Sequence, residues 1–260
     1  SEFVILIVDK IDAQLGETIV MVDQFGIDKG WMILRNYIQP EQIKPILAGT
    51  CMEGYTIIDE DPVKIREDLI AMACAEGRKA GEGTCGSVPI DSHFNVKGVG
   101  TVVLGSVIDG HFKKHDKMTI WPLKTEVVLK SIQKHDIDAD DGVKGDHVGL
   151  ALRGIESDDL DRGFVATTDP SIKLTRNVDA NVKLVRFWTS SLKEGMVVHL
   201  GHWMQMVPAR ITAVDDGSDF RSAKVAFEME TDIIHKPGDK AVIMYLEGGK
   251  LRVAGTVELA

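Results

Sequence analysis

Val88-Pro89-Ile90-Asp91-Ser92-His93-Phe94-Asn95-Val96-Lys97-Gly98-Val99-Gly100-Thr101-Val102-Val103-Leu104-Gly105 is the stretch where the period of this 260-residue chain changes. Thr101, Val103 and Gly105 alternate with Val102 and Leu104, which sends one row into a closed interior and the other to its outside. Gly98 and Gly100 bracket the start of that strand, where a residue without Cβ takes positive φ or lets another backbone come close. For each glycine taken singly, barrel geometry is a sufficient reason.

Downstream, short alternating runs recur between turn signals. Strands are expected at Gly100 to Ile108, Lys117 to Trp121, Glu126 to Ile132, His147 to Leu152 and Gly163 to Thr167, with Asp109-Gly110 and Asp141-Gly142 as turns. A second set is expected at Asn181 to Phe187, Met196 to Leu200, Met204 to Val214, Ser222 to Met229, Lys240 to Leu246 and Leu251 to Glu258. Such spacing implies two antiparallel β-barrels, residues 88–175 and 176–260, with the boundary near Lys173 to Asn181.

Upstream of a Gly-rich linker at 81–87, residues 1–80 alternate strand and helix. Val4 to Val8 reads as a strand buried on both faces, followed by a helix over Gly16 to Phe25; Trp31 to Leu34 precedes a helix over Glu41 to Leu47. Tyr55 to Ile58 is the third strand, and Asp61 caps a helix whose Ile65, Leu69, Met72 and Ala73 form one apolar face. Three βα units imply a partial parallel sheet, so the fold class is α/β plus all-β.

The net charge is −10, and residues 1 to 86 carry 8 basic against 15 acidic side chains. A protein held to nucleic acid by phosphate neutralisation alone would show a basic excess, so any RNA contact must come from a local patch, and DNA is not an expected partner. No apolar run reaches the length of a membrane helix and no secretory signal opens the chain, while Cys51, Cys74 and Cys85 form no Cys-x-x-Cys pair. A reducing, cytoplasmic setting is expected.

The Val88 to Gly105 string closely resembles the opening of domain 2 in translational GTPases of the elongation factor Tu type. The resemblance continues through Gly145-Asp146-His147-Val148-Gly149-Leu150-Ala151-Leu152-Arg153-Gly154-Ile155 and Asp161-Arg162-Gly163. Lys130-Ser131-Ile132-Gln133-Lys134-His135 resembles the selenocysteine-specific factor SelB and its archaeal SelB-like relatives, the pyrrolysine-associated type among them. Weaker matches follow at Val198-His199-Leu200-Gly201, Lys236-Pro237-Gly238-Asp239 and Leu251 to Gly255.

The resemblance implies a translation factor that meets aminoacyl-tRNA and the ribosome, with residues 1–80 as the C-terminal half of a degenerate G domain. The Gly-rich phosphate loop G-x-x-x-x-G-K-[ST] is not in this sequence, and Arg35-Asn36-Tyr37-Ile38 stands where Asn-Lys-x-Asp would read guanine. No cofactor is therefore expected on this chain, and GTP with magnesium only where an N-terminal half precedes it. Three strands without partners would leave an apolar edge, so such a half is expected. Whether the protein is an enzyme depends on it, since no catalytic motif occurs here.

By the same resemblance, the aminoacyl group and tRNA 3′ end would lie against Asp91, Ser92, Phe94, Leu104 and His147. Phe94 either stacks on a terminal adenine or packs the barrel core. Asp91 either accepts from an α-amino group or ribose hydroxyl, or caps a turn; His147 either bonds an amino-acid side chain or is a surface residue. Ser92 replaces an arginine of SelB-type proteins and Val99 one of elongation factor Tu, which argues against selenocysteine and removes a cation. Lys97, Lys113, Lys114 and Lys117 form a local RNA-backbone patch or are solvated loop lysines. His111, His115 and Asp116, or His199 and His202, lack a converging third metal ligand. Two rivals remain: a GTP-independent protein-interaction adaptor using the acidic front, and a regulatory GTPase subunit of a sulfate adenylyltransferase, against which the Ser131 to His135 string speaks.

Overall fold

The computed structural model describes residues 2–76, 85–247, 249 and 252–260. Strands β1 (Val4–Val8), β2 (Gly30–Leu34) and β3 (Thr56–Ile57) form a parallel sheet in that order. Helix α1 (Ala13–Phe25) begins three residues before the apolar period suggests, because the Asp12 carboxylate accepts from Leu15 N at 3.0 Å, and it ends at Gly26 with φ 64°. Helix α2 is Pro40–Leu47 and α3 is Pro62–Glu76, with Asp61 Oδ1 accepting from Val63 N at 3.0 Å.

The core of this unit joins Leu6, Val8, Ile19, Met32, Ile43 and Met52. Burial of β1 on both faces is not found: Ile7 is 44% exposed. Ile65, Leu69 and Met72 of α3 share a face as expected but are only half-buried, and Ala73 is exposed, so α3 adds little to that core. The linker residues 81–84 and the strand start at Leu251 lie outside the described residues.

The first barrel contains β4 (Ser87–Val96), β5 (Gly100–Ser106), β6 (His111–Lys113), β7 (Lys117–Trp121), β8 (Thr125–Lys134), β9 (Ile137–Ala139), β10 (Asp141–Val143), β11 (His147–Arg153) and β12 (Val165–Thr167). The order β11-β5-β4-β12-β7-β8 closes through pairing of β11 with β8, giving six antiparallel strands around a core of Val103, Ile120, Leu129, Ile132 and Leu150. β4 falls where Pro89, Asp91 and Ser92 hide strand alternation; β6, β9 and β10 are short additions.

The second closed barrel runs β13-β16-β15-β14-β17-β18 over Lys173–Leu184 (β13), Val197–His202 (β14), Gln205–Asp215 (β15), Lys224–His235 (β16), Lys240–Met244 (β17) and Val253–Glu258 (β18). The boundary expected near Lys173 to Asn181 lies inside continuous β13, and the passage between barrels is 168–172. Polar Lys173, Thr175, Arg176 and Asn177 concealed that strand.

Polar and apolar contacts set the parts together. Arg252 donates to Glu17 of α1 (Nη2 to Oε2 2.6 Å), and Arg186 Nη2 donates to Ala48 O at 2.8 Å. Between barrels, Val165, Ile172 and Ile234 pack with Trp121 and Trp203.

Candidate functional site

The register of the first barrel decides which residues share its outer face. Directly opposed residues point the same way, and Ser92 faces Leu104, Leu104 faces Gly149 and Gly149 faces Gln133 across four strands. The next row is Phe94, Val102, Ala151 and Ser131; on the other side His147 faces Ser106, with Nδ1 3.4 Å from the Ser106 hydroxyl oxygen. Their neighbours Val103, Val148, Leu150 and Ile132 fill the interior, so these rows look outward.

Ser92, Phe94, Leu104 and His147, separated by up to 55 positions in sequence, thus come together on one face. Rows two residues apart on a strand lie about 7 Å from each other. Phe94 is 42% exposed and is not a core residue. At Gly149 no side chain rises between Leu104 and Gln133; a Cβ there would meet Leu104 Cδ2 at 3.4 Å.

Asp91 owes its position to a bulge, since the β4–β5 register shifts between Ile90 and Ser92 and leaves it unpaired. Its Oδ1 pairs with Arg162 Nε at 3.1 Å, so that oxygen is engaged. The strap after β11 is pinned to this corner, with Thr101 Oγ1 donating to Ile155 O at 2.8 Å and His93 Nδ1 3.2 Å from Ser157 Oγ.

Lys97 sits exposed in the β4–β5 turn, while Lys113 and Lys114 are exposed at the end of β6. Lys130 stands between these groups: its Nζ donates to Val99 O at 2.6 Å, and His115 N donates to the neighbouring Leu129 O at 2.8 Å. No local pattern marks Lys130 or Gln133 in the sequence; the pairing of β8 with β11 sets Gln133 opposite Gly149, and Lys130 reaches the site through Val99 O. Lys117 pairs instead with Glu126 at 2.9 Å. Among the described residues no group of three or more His, Cys, Asp or Glu side chains converges to hold a metal ion, and no helix is long and apolar enough to cross a membrane.

Residues 100–167 match the family model for elongation factor Tu domain 2. The chain is 29% identical over 259 residues to an uncharacterised protein of Methanocaldococcus jannaschii, covering 99% of this chain and 80% of that one. It is 34% identical over 191 residues to the selenocysteine-specific elongation factor of the same organism, covering 66% of this chain and 40% of that factor. In fold it resembles the apo crystal structure of translation elongation factor SelB from Methanococcus maripaludis, with TM-score 0.84 and 24% identity over 98% of this chain and 64% of that one. The chain therefore spans less than two thirds of the elongation factors it matches.

Proposed function

This chain belongs to the elongation factor Tu and SelB-like family of translation factors, and from that premise we propose that the outer face of its first barrel receives the 3′ end of an aminoacyl-tRNA. The observation that carries the reading is the convergence of an exposed Phe94 with Ser92, Leu104 and His147 on one barrel face. Phe94 offers a flat surface for the terminal base, where stacking contributes about 1–3 kcal/mol. Leu104 and the bare Gly149 give an apolar floor for the aminoacyl group, and the His147–Ser106 pair supplies polar contact at its edge. Lys97, Lys113, Lys114 and Lys130 hold the adjoining backbone.

Titration with charged and deacylated tRNA at low salt, read together with protection of the aminoacyl ester from hydrolysis, tests this. Selenocysteinyl-, seryl- and pyrrolysyl-tRNA are the charged forms to use. Tighter binding of a charged form with slowed hydrolysis is expected; equal affinity for deacylated tRNA, or no binding of any form, rejects the reading. Few basic contacts predict a shallow salt dependence. A second reading, a protein-interaction adaptor, is favoured by Tyr37, 96% exposed on the unit that carries the excess acid.

A further inference from the structure

We propose that the strand ends of the α/β unit are closed by Arg35 as a fixed tie and do not read a guanine base, so that the tRNA grip of the first barrel is not gated by guanine nucleotide. The second clause rests on the aminoacyl-tRNA reading above; the first stands alone.

A guanine nucleotide is the ligand that the fold family implies, and in open parallel sheets ligands bind outside the carboxyl ends of the strands. Those ends here are Asp9 after β1, Arg35 after β2 and Glu60 in the loop beyond β3. Reading guanine there requires a carboxylate that accepts from the N–H groups of the base, because a site that bonds such groups rejects the analogue lacking them by orders of magnitude. The residues present do not fit.

Two of the carboxylates at these strand ends, Asp9 and Glu60, face the guanidinium of Arg35, and Asp61 beside them is turned to cap α3. Arg35 Nε donates to Glu60 Oε2 at 2.7 Å, Nη2 donates to Glu60 Oε1, and Nη1 donates to Asp9 Oδ1 at 3.2 Å. The fork is bidentate on Glu60, the geometry in which arginine pairs best with a carboxylate. Position 38, where the base-reading aspartate would stand, is an isoleucine.

The turn that follows points its remaining polar groups elsewhere. Asn36 and Tyr37 both have left-handed backbones, φ 54° and 62°. Asn36 turns its amide back, with Nδ2 donating to Asp9 O at 2.9 Å, and Tyr37 stands 96% exposed with its ring in solvent. The hydrogen bond from Arg35 holds the Glu60 carboxyl below the usual carboxylate range, so the pair stays ionised at neutral pH. As an exposed ion pair the tie adds little to stability. Its consequence is chemical: the position where a base reader needs an acceptor is the apolar Ile38, and the cation at the start of the same turn already holds Asp9 and Glu60.

The test uses the full-length protein and the fluorescent nucleotides mant-GDP and mant-ADP, with aminoacyl-tRNA affinity measured in GTP, in GDP and in neither. The expected result is no saturable guanine-selective binding, and the same tRNA affinity in all three conditions. Saturable mant-GDP binding displaced by GDP about 100-fold better than by ADP would overturn the proposal. So would a rise in tRNA affinity by the roughly 5- to 150-fold typical of allosteric coupling when GTP replaces GDP. If no tRNA binds in any condition, the aminoacyl-tRNA reading fails, and the mant-nucleotide titration still decides whether the strand ends read guanine.

Discussion

Lys236 of the second barrel lies with its Nζ 2.5 Å from Asp169 Oδ2, in the passage out of the first, and also pairs with Asp109. The Lys236 and Asp169 side chains are 22% and 13% exposed, so solvent screens the contact only weakly. Removing the ammonium leaves two carboxylates facing each other at a joint otherwise held by apolar packing. Lys236→Met is therefore expected to cost about 1.5–3 kcal/mol, seen as a lower denaturation midpoint. A change below about 0.5 kcal/mol would show that the packing of Trp121, Ile172 and Ile234 is sufficient by itself.

His235 gives the same joint a pH dependence. It is fully buried, its Nδ1 2.9 Å from Lys236 O and its Nε2 2.7 Å from Thr175 Oγ1. A carbonyl only accepts, so Nδ1 carries the proton and Nε2 accepts from the hydroxyl in the neutral ring. Burial pushes the imidazole pKa down, with the Lys236 carbonyl opposing. The unfolded chain then takes up a proton below about pH 6.5 that the folded chain resists, so stability falls as pH drops from there toward the folded value. Asp169 adds an acid limb. Burial pushes its carboxyl up, the Lys236 and Ser171 hydrogen bonds more than offset this, and its contribution is present above about pH 4 and lost below. Denaturant titrations from pH 7 to pH 5 should show a shallower slope for His235→Asn than for the wild type, and equal slopes would remove His235 from the account.

Gly105 and Gly149 separate folding from binding. A Cβ on Gly105 would lie 2.3 Å from Pro89 O, backbone that cannot move without opening β4 against β5. Gly105→Ala is expected to destabilise by about 1–3 kcal/mol. The nearest atom to a Cβ on Gly149 is the end of the Leu104 side chain at 3.4 Å, so Gly149→Ala should leave stability nearly unchanged while filling part of the candidate face. Similar midpoints for the two variants would contradict the packing of this hairpin.

The barrels were legible where one row of each strand is apolar, as in Lys117 to Trp121, whose bounds the alternation gave. Strand β4 was not, because Asp91 bulges out and Ser92 and Phe94 face solvent, so no apolar row survives past Ile90. Strand β13 failed likewise at its polar start, which moved the boundary between barrels. The spacing of Ile65, Leu69 and Met72 announced an apolar face but not its burial, which depends on what the tertiary structure brings against it. At the candidate site alternation could say that Phe94 and Leu104 share an orientation with the residues two positions away on their own strands. It could not say that β11 brings Gly149 and β8 brings Gln133 and Lys130 to them; only the resemblance singled out this face. The Arg35–Glu60 tie, 25 positions apart, left no local signal at all.

Phe94 and His147 provide the sharpest separation of site from scaffold. Phe94 is 42% exposed and outside the barrel core, so its truncation should move stability by no more than about 0.5 kcal/mol. If a terminal base stacks on the ring, Phe94→Ala should weaken aminoacyl-tRNA binding by about 1–3 kcal/mol, roughly 5- to 150-fold in Kd. Phe94→Tyr keeps the ring and should restore most of the affinity. His147→Ala should affect the charged form more than the deacylated one if the aminoacyl group lies, as proposed, at the His147–Ser106 edge of the face. Titrations of the three variants with charged and deacylated tRNA, beside their melting curves, check this. Unchanged affinity in Phe94→Ala would mean that the ring faces solvent for another reason and that the tRNA end, if bound, lies elsewhere on the barrel.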